Sequence, residues 1–331
     1  MLKNKNILFI SPEFFNYHKY IKRKLESFGA KVDFFNERPT INSKTLNHFL
    51  NNIPKHIYSL FVKRYFDKML KKNKEYDYLF LIRGEVIPEE FIKKLKNKHR
   101  NIKLIMYQWD SINNNPNVLN IIDYFDFVYS FDYKDSILNK TVKFRPLFFI
   151  DPYKNIKKRF TSIDVLFIGS YHSDRLKIIK EINNECERLN LSFYNHLYLP
   201  KISFLKKKYL EREFNDGFEW FNNNKLNEKQ IINLISKSKI ILDIQHPDQT
   251  GLTMRTIEAI GAKKKIITTN HNIKKYDFYN KNNINIIDRN NIQIKEQVLS
   301  SNYKELPKKI YKKYSLEFWL KEIFGTENGY G

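Results

Sequence analysis

The sequence predicts an α/β protein made of two Rossmann-like halves, each a parallel sheet with crossover helices. Short apolar strand patterns alternate with amphipathic helix patterns along nearly the whole chain, which is typical of parallel sheets joined by helices. The 331 residues are enough for two domains of ordinary size, and a hydrophobic content of 42% supports two cores.

The first half is predicted to span residues 1–150. Its strands are predicted, in chain order, at 6–10, 31–35, 77–82, 102–107, 127–130 and 142–146. An amphipathic helix is predicted at 18–28, a long helical region rich in lysine and aromatic residues at 47–71, and a further helix at 88–99. Gly29 is a stop signal for the first of these helices, and Pro88 suits the first turn of the third.

A polar, basic segment at 151–160 is predicted to link this half to a second one at 161–306. Strands of the second half are predicted at 164–168, 191–197, 240–244, 265–269 and 284–287, and helices at 175–189, 227–237 and 252–262. An amphipathic helix at 307–324 and a flexible tail at 325–331 complete the chain.

The chain is strongly basic, with a net charge of +23, which favours anionic partners such as nucleic acid, lipid headgroups or anionic substrates. The lysines and arginines alternate with acidic residues instead of gathering in one arm or one recognition helix. We therefore expect much of the charge on solvated helix faces, and no specific nucleic-acid partner.

The single cysteine, Cys186, excludes an internal disulfide, and no zinc-binding spacing is present. Neither a signal sequence nor an apolar run of roughly 18 residues is found. These observations predict a cytoplasmic protein whose contact with an anionic membrane, at the inner face of the cytoplasmic membrane, is at most peripheral.

Four common catalytic motifs are absent from the sequence. The lack of Asp-x-Asp disfavours metal-dependent transfer, and the lack of G-x-G-x-x-G disfavours dinucleotide oxidoreduction. The lack of a Walker loop disfavours ATP hydrolysis of the phosphate-loop type, and the lack of Gly-x-Ser-x-Gly disfavours α/β-hydrolase chemistry.

The most informative segment is 240–270, which reads as strand, polar loop, helix and strand. Gly251 is predicted to open the helix, with Leu252 and Thr253 in its first turn and Thr250 as the cap. The unpaired N–H groups and the dipole of a helix N-terminus form an anion site. Arg255 and Glu258 follow on the same face, and are predicted to bind a phosphate and the hydroxyl groups of a ribose. The alternative is an ordinary βαβ unit with an Arg–Glu pair on its surface.

Residues 251–259 and 266–270 resemble the donor-binding signature of GT-B glycosyltransferases, in the group-1-like form found in the spore-maturation-protein (CgeB)-like family of bacterial surface-glycan assembly. Many group-1 enzymes carry two glutamates eight positions apart in this turn. Here Glu258 matches the second glutamate, whereas Thr250 stands at the position of the first.

The resemblance implies two Rossmann-like domains facing a cleft, with the C-terminal helix crossing back to the first domain. It implies an acceptor-binding first domain and a donor-binding second domain. The activity implied is metal-independent glycosyl transfer, without a cofactor, from a UDP- or GDP-type nucleotide sugar to a glycan or lipid-linked acceptor of lipopolysaccharide, capsule or O-antigen synthesis.

The loop at 169–175 follows the first strand of the second half, and a loop in this place often contacts the donor phosphates in GT-B enzymes. Gly169 and Ser170 allow close approach of the backbone, and Arg175 supplies a positive charge. A routine strand-to-helix turn, capped by Ser173 or Asp174, explains the same residues equally well. His246 is a further candidate for contact with the diphosphate or the sugar.

Three carboxylates of the first half follow predicted strands and should lie at the carboxyl edge of its sheet: Glu13, Glu85 and Asp110. An inverting transferase needs a base within hydrogen-bond reach of the acceptor hydroxyl, and Asp110 and Glu85 are the preferred candidates. A helix cap or a salt bridge is the structural alternative for each. A retaining enzyme needs no such base, and the stereochemistry stays open.

Two other functions remain as alternatives. A nucleotide-sugar 2-epimerase shares the same architecture, and would need paired acid and base groups around the sugar. A basic nucleic-acid-binding protein is the less favoured alternative, because only the net charge suggests it.

Overall fold

The computed structural model of the chain describes residues 2–39, 54–71, 74–157, 160–210 and 218–325. The chain divides into two units: unit 1 comprises Met1–Pro146 and Leu316–Gly331, and unit 2 comprises Leu147–Ser315. No helix within the described ranges is long and apolar enough to cross a membrane.

Unit 1 contains a six-stranded sheet in the order β2-β1-β3-β4-β5-β6, and all neighbouring strands are parallel. The strands are β1 Asn6–Ser11, β2 Lys31–Asn36, β3 Tyr78–Ile82, β4 Lys103–Gln108, β5 Phe127–Ser130 and β6 Val142–Phe144. The chain lays β2 on one side of β1 and β3 on the other. The carboxyl ends of β1 and β3 therefore flank a topological switch point, the place where such sheets bind ligands.

The helices in the first part of unit 1 are α1 Tyr17–Ser27, α2 Lys55–Leu70, α3 Glu89–Lys98 and α4 Tyr133–Leu138. Short 3-10 helices at Ile112–Asn114, Pro116–Asn120 and Ile122–Tyr124 lie between β4 and β5. Helix α1 buries Ile21 and Leu25, four positions apart, because one stripe of its surface faces the sheet. The predicted helix at 47–71 is seen from Lys55 onward, and its first part, 47–53, lies outside the described residues.

Unit 2 contains a second parallel six-stranded sheet, in the order β12-β11-β10-β7-β8-β9. The strands are β7 Ile163–Ser170, β8 Phe193–Tyr198, β9 Phe221–Asn222, β10 Ser238–Asp243, β11 Lys265–Thr268 and β12 Ile284–Ile286. After β9 the chain returns to the other side of β7. The switch point of this sheet therefore lies between β7 and β10.

The helices of unit 2 are α5 Asp151–Lys154, α6 Arg175–Arg188, α7 Lys201–Leu210, α8 Glu228–Lys237, α9 Met254–Gly261, α10 Glu296–Ser300 and α11 Lys308–Lys313. Two 3-10 helices, Phe218–Trp220 and His271–Lys275, complete the set seen in this part of the chain. Helix α8 starts at a capping box, in which Asn227 accepts from the Gln230 N–H and the Gln230 side chain accepts from the Asn227 N–H. The two-residue strand β9 was not predicted, because so short a strand has no period that a sequence can display.

Two helices, α11 and α12 (Leu316–Ile323), cover the segment predicted as one final helix. They are separated at Tyr314, whose carbonyl oxygen accepts a hydrogen bond from the Phe149 N–H. Helix α12 belongs to unit 1, where fully buried Trp319 packs its ring 4.7 Å from Tyr107 and 6.0 Å from Phe80. Residues 326–331 of the predicted tail lie outside the described residues.

Candidate functional site

Arg175 joins two loops at the carboxyl end of the unit 2 sheet. Its Nε and Nη2 donate to the carbonyl oxygen of Ile244, at 2.8 and 2.5 Å, and its Nη1 donates to the carbonyl oxygen of Ser170 at 2.7 Å. Burial lowers the pKa of Arg175 to about 10, and the nearby Asp243 carboxylate opposes that shift. The guanidinium group thus fixes the ends of β7 and β10, on the two sides of the switch point.

Gly169, at the end of β7, is required by the packing of this corner. A Cβ atom here would lie 2.8 Å from Cζ of Phe167 and 3.0 Å from Nη1 of Arg175. Any larger residue would therefore displace the guanidinium group that ties the loops together. The approach of a donor phosphate to Gly169 stays a prediction, and the groups that approach it in the structure are the side chains of Phe167 and Arg175.

Arg289 fastens the other side of the same loop. Its Nη1 donates to both carboxylate oxygens of Asp174, and its Nη2 donates to the carbonyl oxygen of Gln245 at 2.7 Å and to Oγ1 of Thr269 at 3.3 Å. Asp174 precedes α6 but makes no capping bond to it. The 169–175 loop is therefore held by two arginines, and it is not the routine capped turn that the sequence allowed.

Helix α9 starts at Met254, with Thr253 as its N-cap; the prediction that Thr250 caps a helix opened by Gly251 and Leu252 is wrong. Thr253 Oγ1 accepts from the Thr256 N–H, and both threonine hydroxyls donate to the buried carboxylate of Asp243, at 2.8 and 2.5 Å. Asp243 ends β10 and so anchors the first turn of the helix.

Residues 250 and 251 belong instead to the loop before the helix. The side-chain amide of Asn270 donates to the carbonyl oxygens of Thr250 and Gly251, at 3.4 and 3.2 Å, and Gln249 donates to Gly251 at 2.9 Å. Leu252 is buried and holds the loop against the core. The loop is therefore ordered by side-chain amides before the helix begins.

Arg255 and Glu258 form an ion pair one helical turn apart, with Nη1 of the arginine 2.6 Å from Oε2 of the glutamate. The sequence allowed a surface pair, but only 16% and 7% of these two side chains are exposed. Each charge is therefore largely removed from water and balanced by the other. A carboxylate held in this way has a fixed orientation, as an acceptor for sugar hydroxyls requires.

Two histidines lie beside these arginines, with the ring centroids of His172 and His246 5.4 Å apart. Nδ1 of His246 accepts from the Asp248 N–H at 3.3 Å, and Nδ1 of His172 lies 2.8 Å from Oγ of Ser173. Burial, followed by the positive charge of Arg175, lowers the pKa of His172 to about 4. His172 is therefore neutral at physiological pH.

The charges of this corner nearly cancel. Arg175, Arg255 and Arg289 face the carboxylates of Asp174, Asp243 and Glu258. A dianionic or trianionic ligand would therefore leave the corner with an excess of negative charge, which protonation of His172 would offset in part.

In unit 1, Arg83 links two of the predicted catalytic carboxylates. Its Nη2 lies 2.5 Å from Oε2 of Glu85, and its Nε lies 3.4 Å from Oδ2 of Asp110. Arg38 Nη2 also donates to Oε2 of Glu85, at 2.6 Å. One oxygen of Glu85 is thus engaged by two guanidinium groups, whereas Asp110 has a half-exposed side chain. Loss of surrounding water raises the pKa of Asp110, and Arg83 limits that rise.

The backbone at Arg83 is strained, with φ of 79° followed by φ of 77° at Gly84. Two buried amides stabilise it, because the side chains of Gln108 and Asn115 both donate to the Arg83 carbonyl oxygen, at 2.6 and 3.1 Å. The Arg83 side chain extends from this strained backbone to the two carboxylates, and such strain is concentrated at functional sites.

Glu37 is a fully buried carboxyl group behind this loop. Its Oε1 accepts from the backbone N–H groups of Glu85 and Val86, while Oε2 has no hydrogen-bond partner among the described residues. Burial raises the pKa of Glu37 to about 7, against the opposing effect of Arg83. The third predicted carboxylate, Glu13, is exposed in the loop after β1.

Neither a protein-family model nor a curated protein sequence matches this chain. Solved structures do match it. A glycosyltransferase from Rickettsia africae superposes with a TM-score of 0.56 at 14% identity, covering 98% of this chain and 100% of that one. HepE from Anabaena, in complex with UDP and glucose, superposes with a TM-score of 0.60 at 10% identity, covering 98% and 99%.

The chain has the GT-B fold. A UDP-GlcNAc 2-epimerase from Methanocaldococcus jannaschii, in complex with UDP-GlcNAc and UDP, shares this fold with a TM-score of 0.55 at 12% identity, covering 97% and 99%. The fold therefore agrees with the predicted architecture. It occurs both in glycosyltransferases and in a nucleotide-sugar 2-epimerase.

Within this GT-B chain, the predicted donor-site residues lie at the carboxyl edge of the unit 2 sheet. Of the predicted base candidates, Glu85 and Asp110 meet at Arg83, whereas Glu13 lies in the loop after β1. Sequence reasoning missed three kinds of residue: the arginine clamp of Arg289, the buried acids Asp243 and Glu37, and Arg83. Arg289, Glu37 and Asp243 contact residues ten or more positions away in the chain, so no local spacing marks them. Arg83 contacts nearby Glu85, but its contact with Asp110 depends on the pairing of β3 with β4. No cluster of three or more metal-ligating side chains occurs in the portion of the chain that is described.

Proposed function

We propose that the chain is a nucleotide-sugar glycosyltransferase with its donor site in unit 2. The observation that carries the proposal is the corner built by Arg175, which fixes the ends of β7 and β10 beside helix α9 at the switch point of a GT-B sheet. HepE, with this fold, was solved with UDP and glucose, which makes a UDP sugar the first donor to test.

In this proposal the diphosphate lies against the loops at 169–175 and 246–251. Arg255 and His246 contact its oxygens, and Glu258 accepts hydrogen bonds from the ribose. The leaving diphosphate is stabilised by Arg255 and by the N-terminal dipole of α9, which are already in position, so little reorganisation accompanies bond cleavage. Asp243 contributes indirectly, because it fixes the first turn of α9.

Unit 1 binds the acceptor in this proposal, and Asp110 is the preferred base. Its carboxylate is half-exposed and its pKa is raised, two properties that suit a group accepting a proton from a hydroxyl near neutral pH. Glu85 is already engaged by two arginines, so we assign it, with Arg83, to the orientation of Asp110.

We further propose an acceptor in bacterial surface-glycan synthesis, on the strength of the resemblance at 251–259 to the spore-maturation-protein-like family. A lipid-linked acceptor is compatible with α2, where Ile57, Leu60 and Phe61 are exposed on one face and Lys63 and Arg64 lie next to them. Vesicles with and without anionic lipid test this peripheral contact: sedimentation only with anionic lipid supports it, and sedimentation with neither contradicts it.

The donor site is tested by calorimetric titration of UDP, GDP and CMP in EDTA against the wild type, Glu258→Ala and the surface control Glu187→Ala. We expect one nucleoside diphosphate to bind the wild type and the control alike, and to bind Glu258→Ala about tenfold or more weakly, the loss of a charged hydrogen bond. Equal binding to all three proteins would reject the site.

The reaction is tested next with the sugar nucleotide that binds. Release of nucleoside diphosphate that depends on an added acceptor supports transfer. Formation of the C2-epimeric sugar without an acceptor would instead identify the 2-epimerase chemistry found on the same fold.

A further inference from the structure

The loop after β1 has an unusual backbone. Phe15 and Asn16 both adopt left-handed conformations, with φ of 41° and 62°. A bulky residue rarely adopts such a conformation, and two in succession are costlier still. The turn is closed by hydrogen bonds from the Phe14 N–H to Pro12 and from the Tyr17 N–H to Phe14, at 3.1 and 2.9 Å. The strain holds neighbouring aromatic side chains at the surface.

Three aromatic rings meet at this turn. The Phe14 ring centroid lies 4.6 Å from that of Phe15, nearly perpendicular to it, and 6.0 Å from that of Trp109. Phe14 and Phe15 are 45% and 37% exposed, although aromatic rings usually contribute more stability when they are buried. We call Phe14, Phe15 and Trp109 the aromatic platform.

The aromatic platform occupies the ligand-binding edge of the unit 1 sheet. Phe14 and Phe15 follow β1, which borders the switch point, and Trp109 follows β4 at the same edge. Two carboxylates flank the rings in sequence: exposed Glu13 precedes Phe14, and half-exposed Asp110 follows Trp109.

Apolar faces edged by hydrogen-bond acceptors match the chemistry of a pyranose ring. One face of many pyranoses presents axial C–H groups, whose partial positive charge is attracted to the negative face of an aromatic ring. The hydroxyl groups around the rim of the sugar need acceptors, which carboxylates provide. A hydrocarbon chain would gain nothing from the two carboxylates, and a phosphate would be repelled by them.

We propose that the aromatic platform is a binding subsite for a pyranose ring of the acceptor. The proposal rests on the glycosyltransferase function proposed above, and it deepens that function by assigning the acceptor a carbohydrate at the edge that carries Asp110. The platform positions the sugar, and it takes no part in proton transfer.

Saturation-transfer NMR tests the subsite without requiring turnover. The probes are the methyl glycosides of glucose, galactose, mannose and N-acetylglucosamine, and butyl β-glucoside. We expect at least one methyl glycoside to receive saturation mainly at its axial ring protons. Phe14→Ala should weaken that binding about fivefold, as the loss of one aromatic contact predicts, and Phe14→Tyr, which keeps the ring, should restore it.

Phe160→Ala is the matched control, because Phe160 is an exposed phenylalanine of unit 2, and it should leave saturation unchanged. Saturation confined to the butyl chain would overturn the proposal in favour of a lipid contact, and absence of saturation for every glycoside would overturn it outright. Nucleotide titration of the wild type separates the two proposals: nucleotide binding with no glycoside contact rejects the subsite alone, whereas failure to bind any nucleotide rejects the donor site. Phe14→Ala should bind the nucleotide as tightly as the wild type does.

Discussion

Arg289 donates to both carboxylate oxygens of Asp174, at 2.6 and 2.7 Å, although 115 positions of sequence separate the two residues. The same guanidinium group reaches the carbonyl oxygen of Gln245. One side chain therefore sets the spacing between the segments that follow β12, β7 and β10.

Removing the Arg289 side chain, which ties Asp174 to Gln245, should weaken nucleotide binding without unfolding unit 2. We expect Arg289→Ala to lose roughly 1–3 kcal/mol of stability, as for a charged hydrogen-bonded pair, and to bind the nucleoside diphosphate about tenfold or more weakly. Calorimetric titration and denaturant unfolding measure the two effects. Asp174→Asn should act non-additively with it, because both changes break one contact.

The control for Arg289→Ala is Arg188→Ala, which removes an arginine of α6 whose side chain is 64% exposed and pairs with the less exposed Glu185. Such pairs contribute little, so both affinity and stability should stay near the wild-type values. Equal nucleotide affinity in Arg289→Ala and Arg188→Ala would contradict the role given to the clamp.

His172 should take up a proton when a diphosphate binds. Its pKa is about 4 because it is buried beside Arg175, and a bound anion would offset that positive charge and raise the pKa. By linkage, affinity for the diphosphate should then rise as the pH falls from 8 towards 5.5. NMR titration of the His172 ring protons, with and without UDP, measures the shift directly.

UDP titrates in the same pH range, so the comparison protein is His172→Asn. The pH dependence that remains in this variant belongs to the ligand and to the other groups. An identical pH profile in the wild type and in His172→Asn would show that His172 is not coupled to binding.

Glu37 should make the free energy of unfolding fall as the pH rises from about 4.5 to about 7. Its pKa is raised from 4.5 to about 7 in the folded chain, so between these values the folded state holds a proton that the unfolded state has released. The contribution is complete below pH 4.5 and is lost by about pH 7, with an upper limit of roughly 3 kcal/mol. Glu37→Gln cannot titrate, and its unfolding free energy should change less over this range. An equal change in unfolding free energy between pH 5 and pH 8 in the wild type and in Glu37→Gln would refute the assignment.

Gly261 should not tolerate even one methyl group. A Cβ atom at this position would lie 2.6 Å from Cγ and 2.7 Å from Cβ of Phe149. Gly261→Ala should therefore lower the unfolding free energy by about 1–3 kcal/mol through overpacking, although the same change normally stabilises a helix. Thermal or denaturant unfolding measures it, and Gly261→Ala should cost less in a Phe149→Ala background, because that change removes the Cγ and Cδ2 atoms of the clash. A more stable Gly261→Ala protein would contradict the packing.

The parts of the molecule that the sequence predicted are those with a local signature. Apart from β9, the strands of both sheets and the stripe on α1 follow hydrophobic periods, and α8 begins within one residue of its predicted range. The start of α9 was misplaced because Thr250 and Thr253 are both good caps, and the choice between them depends on Asp243, which lies outside the helix. Arg289 and Glu37 escaped prediction for a similar reason: their partners are brought to them only by the folded sheets.

The placement of α12 in unit 1 also has a consequence for biosynthesis. A ribosome finishes every residue of unit 2 before it reaches Trp319, the side chain that fills the space beside Tyr107 and Phe80. The sheet of unit 1 therefore stays partly uncovered while the later half of the chain is translated. A nascent chain that ends just before residue 316 would contain a complete unit 2 and an incomplete unit 1, and we expect chaperones to bind the exposed surface of unit 1.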